Sequence, residues 1–119
     1  MRLFLCEKPS QAGDIARVIG ARRRGNGCYT AQNLAVTWCI GHLVGAAEPD
    51  AYGEQYKRWA IETLPIIPER WRLEVKSSTA GQFKIVRALL TTATELVIAT
   101  DADREGEMYR RWKAIPIEA

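Results

Sequence analysis

The run Leu96-Val97-Ile98-Ala99-Thr100, followed at once by Asp101-Ala102-Asp103-Arg104-Glu105-Gly106-Glu107, limits the fold more than any other stretch. Its short apolar part, bounded by polar residues, reads as a strand of a parallel sheet buried on both faces. The acidic cluster then opens toward a helix. In an open parallel sheet, ligands bind beyond the carboxyl ends of the strands, and Asp101, Asp103 and Glu105 fall at such an end. If that tip stays extended, residues two apart project the same way at roughly 6–7 Å, so three carboxylates converge on one small volume. A hard divalent cation such as Mg2+ relieves their repulsion, because it takes oxygen ligands and is commonly held by one or two carboxylates while it meets a phosphate. The same residues equally suit a solvated acidic loop or a helix N-terminus, where the macrodipole favours carboxylates.

The start of the chain has the same form. Arg2-Leu3-Phe4-Leu5-Cys6 reads as a buried strand, and Glu7-Lys8-Pro9-Ser10 ends it. Pro9 halts the strand and Ser10 is placed to cap a helix whose apolar positions are Ala12, Ile15, Ala16, Val18 and Ile19, with Gly20 as its stop. A glutamate and a lysine therefore stand at a second strand-to-helix switch, although an ordinary charged turn reads the same way.

Between these ends, Arg22-Arg23-Arg24-Gly25-Asn26-Gly27 reads as a basic, solvated turn that a phosphate backbone could also approach. Residues 28–31 and 34–40 form an expected hairpin turning at Gln32-Asn33. His42 is the only histidine, so this chain cannot build a histidine-rich metal site. Residues 45–71 hold Pro49, Pro65 and Pro68 but also Tyr52, Tyr56, Trp59 and Trp71, the mark of an ordered excursion packed on the sheet. Within it, Lys57-Arg58-Trp59 sets two cations beside a large ring, a pairing used for single-stranded nucleic acid; Trp59 as a core residue is the alternative. Residues 72–76 alternate like a strand with one wet face. A helix is expected from Ser77 or Ser78, with Phe83, Val86, Leu89, Leu90 and Ala93 inward and Lys84 and Arg87 outward. The order of elements gives an α/β sheet with helices on its faces.

At 119 residues the chain is long enough for one domain, 1–119, and its formal charge of +3 permits a nucleic-acid partner without requiring one. No run of 18 apolar residues is present for a membrane span. Cys6, Cys28 and Cys39 are odd in number and lack CxxC spacing, so a reduced, cytoplasmic protein with buried thiols is expected.

Several of these segments, taken in order, carry a resemblance: residues 1–10 (MRLFLCEKPS), 36–43 (VTWCIGHL), Glu48-Pro49-Asp50-Ala51-Tyr52, Arg58-Trp59 with Leu64-Pro65-Ile66, and 101–107 (DADREGE). Together they resemble the N-terminal Toprim domain of bacterial type IA topoisomerases of the topoisomerase III kind, over residues 1 to about 108. The resemblance implies a Rossmann-like α/β fold with a mostly parallel central sheet and helices on both faces. It also implies Mg2+ held by Asp101, Asp103 and Glu105, with Glu7 near enough to share it. Glu7 matches the glutamate that protonates the departing 3′ oxygen and later deprotonates it for resealing, and Lys8 the lysine that steadies the scissile phosphate. Arg58, Trp59, Lys8 and Arg104 are the residues expected to contact single-stranded DNA.

The chain departs from the family in two respects. In such enzymes the tyrosine that becomes linked to the 5′ phosphate lies in a separate, downstream domain, and none of Tyr29, Tyr52, Tyr56 and Tyr109 matches it. Residues 109–119 also diverge, with Pro116 where the family continues a helix. The expectation is thus a metal-binding, DNA-contacting half of a topoisomerase site, inactive alone and completed by the remaining domains. Toprim nuclease or primase chemistry, a non-catalytic DNA-binding remnant, and a phospho-acceptor receiver domain are the alternatives; the last lacks an aspartate at Glu7.

Overall fold

The computed structural model describes residues 1–111. Its centre is a five-stranded sheet in the order β2-β3-β4-β1-β7. These strands are β1 (Arg2–Cys6), β2 (Arg23–Gly25), β3 (Cys28–Ala31), β4 (Leu34–Trp38) and β7 (Glu95–Ala99). β1 runs parallel to both β4 and β7, whereas β2, β3 and β4 form an antiparallel meander. The sheet is therefore mixed, with a parallel core, and carries helices on both faces as expected for an α/β fold. The hairpin turns at Gln32-Asn33, where Asn33 takes a φ of 61°, a left-handed conformation that asparagine tolerates better than most residues.

Strand periodicity divides the core in two. On one face Phe4, Cys6, Leu34, Val36 and Ala99 meet Ala12, Ile15, Ala16 and Ile19 of α1 (Pro9–Ile19). On the other, Leu5 and Leu96 pack with Cys39, Leu43 and Val44 against Phe83, Val86 and Leu90 of α2 (Ala80–Thr92). Apolar residues at consecutive positions of β1 are thus explained by burial on both faces.

Several expectations are corrected. Lys8, not Ser10, is the N-cap of α1; it is extended and makes no side-chain cap bond, and Pro9 takes the first turn, where its missing N–H costs nothing. Gly20 closes the helix in a left-handed conformation, with its N–H donating to the Ala16 carbonyl. Val18 lies on the expected apolar stripe yet is 86% exposed. It borders an open groove with Ile15 and Ile19 over Val97 and Ala99, because among the described residues β7 is paired only with β1 and α1 does not reach across it. Part of the basic turn is a strand: Arg23–Gly25 pairs with Cys28–Thr30.

The excursion is the largest difference. β5 (Val44–Ala46) and β6 (Leu73–Val75) pair antiparallel as a separate ribbon that closes the ends of residues 47–72. Three short 3-10 turns lie within that segment, at Pro49–Tyr52, Glu54–Tyr56 and Ile61–Thr63. It is not packed on the sheet, since Trp59 is 81% exposed and Ile61 89%. Trp59 is accordingly not a core residue. β6 does alternate as expected, with Leu73 and Val75 against the α2-side core and Glu74 outside. The expected divergence of residues 109–119 falls, from residue 112 onward, outside the described residues.

Candidate functional site

The register of β1 decides where the chemistry meets. Cys6 stands beside Ala99 on one side and Trp38 on the other, all three strands parallel. The residues that follow, Glu7-Lys8, Cys39 to His42, and Thr100 to Glu105, therefore leave the sheet at one rim, the carboxyl-end rim where open α/β sheets bind ligands.

Gln11 joins two of these segments. Its Oε1 accepts the Glu7 backbone N–H at 2.9 Å, and its Nε2 donates to Asp101 Oδ1 at 3.4 Å. Being at the third position of α1, it acts much as the glutamine of a capping box does, reaching back to an N–H just before the helix. Gln11 was not singled out from the sequence, although a glutamine three residues past a helix start is a signal that could have pointed to it.

Glu7 is half-buried, and its Oε2 is buried with no hydrogen-bond partner among the described residues. A carboxylate oxygen held in that way is costly unless a proton, a cation or a further donor reaches it. Below it lie two fully buried thiols. Cys39 donates its backbone N–H to the Cys6 carbonyl at 2.9 Å. Burial, then the neighbouring Cys6 and Glu7, push the Cys39 thiol up to about 12, and burial pushes Cys6 to about 11. These thiols are protonated and inert at neutral pH, and Cys28, also raised by burial, completes a set of free cysteines.

The acidic segment is not extended, the condition on which the convergence of three carboxylates rested; it takes the alternative form, a helix N-terminus. After Asp101 the chain bends and enters α3 (Arg104–Arg111). Asp103 Oδ1 accepts the Gly106 N–H at 2.8 Å, an N-cap bond of the kind aspartate favours. Glu105 turns toward His42, whose Nε2 stands 3.8 Å from its Oε1. Because of this turn the spacing rule for extended chain does not hold, and among the described residues no three His, Cys, Asp or Glu side chains gather as a metal cage. Glu7 and Asp101 are brought to one rim through Gln11, while Asp103 and Glu105 are engaged locally. Lys8 and Arg104 are exposed at the two helix starts of this rim, and Arg58 and Trp59 are exposed in the excursion.

Gly106 has a packing role that sequence reasoning overlooked. It is buried, and a β-carbon there would run into the Asp101 carbonyl and come within 2.8 Å of Thr100 Oγ1. Only glycine lets the first turn of α3 close against the strand end, so the DxDxEG spacing is a steric requirement as well as a charge pattern.

Oxygen-only donors, an orphaned Glu7 oxygen and an open rim fit a Mg2+ ion completed by water and a phosphate. They do not form an all-protein cage.

The fold and this rim define a Toprim domain, and the chain belongs to that family, whose model matches residues 2–116. It is 50% identical over 113 residues to DNA topoisomerase 3 of Shouchella clausii (strain KSM-K16), a match covering 93% of this chain and 16% of the relative. It is 46% identical over 112 residues to DNA topoisomerase 3 of Bacillus subtilis (strain 168), covering 92% and 15%. The chain thus spans less than a fifth of the length of these relatives.

Proposed function

We propose that this chain is the Mg2+-binding, DNA-contacting part of a type IA topoisomerase of the topoisomerase III kind, acting on single-stranded DNA in the cytoplasm together with further domains. The observation that carries the proposal is the bridge from the Glu7 backbone through Gln11 to Asp101, which ties the first strand end to the acidic loop at one rim. Its support from kinship is the similarity to DNA topoisomerase 3 of two organisms.

In this reading Asp101, Asp103 and Glu105 hold Mg2+, with Glu7 sharing it. The ion, when bound, offsets phosphate charge as a Lewis acid. Glu7 is the carboxyl that gives a proton to the departing 3′ oxygen and takes it back on resealing, in the steps in which it does not hold the ion. Lys8, extended and exposed ahead of α1, offers its ammonium to the same phosphate. Arg104, Arg58 and Trp59 contact the strand. In this reading the strand-cutting tyrosine comes from another domain, and the chain alone relaxes no DNA. Tyr29 is packed against Trp38 with ring centroids 5.5 Å apart, and the Tyr52 hydroxyl accepts the Arg72 N–H.

Calorimetric titration of Mg2+ into the chain, with and without a DNA single strand, tests the proposal. Millimolar binding is expected, tighter with the strand and lost in Asp101→Asn and Asp103→Asn while the circular dichroism is retained. Equal Mg2+ binding in wild type and both variants, with the strand present, would sink it. Mg2+-dependent nicking by the chain itself, abolished by Asp103→Ala, would instead assign nuclease chemistry to the same residues.

A further inference from the structure

The excursion encloses a hollow of about 830 Å³ that the rim chemistry leaves unused. Its walls include Tyr52, Tyr56, Ile66 and Trp71, and Arg70 and Arg72 stand among them. The Tyr52 and Trp71 rings meet edge to face, 6.3 Å apart at 78°. Tyr52 is held by its hydroxyl, which accepts the Arg72 N–H at 2.8 Å, and Arg72 Nη1 donates to the Ala51 carbonyl at 3.3 Å. These bonds hold Tyr52 against the Trp71 edge of the segment, and Trp71 remains 71% exposed. A large exposed indole beside a concave surface marks a place where something flat is received.

We propose that this hollow is a subsite for an unpaired base of a DNA strand, which stacks on Trp71 while Arg70 and Arg72 meet the adjoining phosphates. Two arginines against the single acid Glu69 give the lining a net positive charge, which suits an anionic backbone that carries flat aromatic rings. Duplex DNA does not satisfy the site, because its bases are already stacked and paired. The inference rests on the strand-binding half of the proposed function. It is independent of the metal rim.

The test is fluorescence anisotropy with the full chain in EDTA, using a labelled oligothymidylate and an abasic strand of the same length. The thymidylate is expected to bind more tightly than the abasic strand. Trp71→Ala is expected to weaken thymidylate binding about tenfold and leave abasic binding unchanged, with Trp71→Phe retaining most of the affinity. An unaltered thymidylate affinity in Trp71→Ala, or an equal loss for both strands, overturns the proposal. Loss of self-association in Trp71→Ala with thymidylate affinity intact would give the hollow to a protein contact. Because EDTA withholds the metal, this readout does not depend on the metal rim, and failure of the metal site and failure of the base subsite are read separately.

Discussion

Gln11 is neutral and half-buried on the helix that follows the first strand, yet it fixes the relation between the residues proposed to handle the proton and the ion. By donating to Asp101 Oδ1 it orients one carboxylate, and by accepting from Glu7 N–H it sets the turn that aims another. Groups that orient metal ligands without touching the metal are worth tenfold or more in affinity, whereas a partly exposed hydrogen bond contributes only about 1 kcal/mol to folding. Gln11→Ala is therefore expected to weaken Mg2+ binding about tenfold with a small change in Tm. Gln11→Glu, which sets a third carboxylate beside Glu7 and Asp101, is expected to bind Mg2+ more tightly than Gln11→Ala, since the cation relieves the added repulsion. Calorimetry beside thermal melting separates the two effects; a large fall in Tm with unaltered Mg2+ affinity would make Gln11 a purely structural residue.

At the scale of elements, what could be read from the sequence was whatever periodicity and strand ends dictate. β1, β4, β7, α1 and α2 follow from apolar runs and a helical stripe, and the common rim of Glu7 and Asp101 follows from two parallel strands ending together. What could not be read depends on contacts between distant residues. Arg23–Gly25 is polar throughout and becomes a strand only because β3 offers it an edge. The exposure of Trp59 and Trp71 depends on the β5–β6 ribbon holding the excursion away from the sheet. The shape of the acidic tip was legible only as alternatives, extended chain or a helix N-terminus, and the Asp103 cap decides for the second. Buried Gln82 is another such contact: its Nε2 donates to the Trp38 carbonyl at 2.8 Å and also reaches the Gly27 carbonyl and Thr37 Oγ1. It pins α2 to β4 and to the β2–β3 turn. Gln82→Leu leaves the Trp38 carbonyl without this donor while the Gly27 carbonyl keeps the Thr37 hydroxyl, so a loss of about 1–3 kcal/mol is expected in urea unfolding; a change within experimental scatter would show that water replaces the amide.

For the whole molecule, the two thiols beneath the rim couple folding to alkaline pH. Cys6 faces the α1 side of the sheet and Cys39 the α2 side, so unfolding exposes both together. In the folded chain burial holds them protonated up to about 11 and about 12, whereas in the unfolded chain they ionise in the ordinary thiol range near 9. Below that range both states carry the same protons and these groups give no slope. Above it the unfolded state binds fewer protons than the folded one, so stability falls as pH rises, by up to about 1.4 kcal/mol per pH unit for each thiol. Set against a total of about 5–15 kcal/mol for a domain, one unit of pH then removes a substantial share. Urea unfolding under reducing conditions from about pH 8 to pH 10 is expected to show a steep decline in wild type and a shallower one in the Cys6→Ala, Cys39→Ala double variant. The variant starts from lower stability, because two buried side chains have been trimmed, but only the slope bears on the linkage. Equal slopes in the two proteins would mean that lysines and tyrosines, not the paired thiols under Glu7, govern the alkaline limit of the fold.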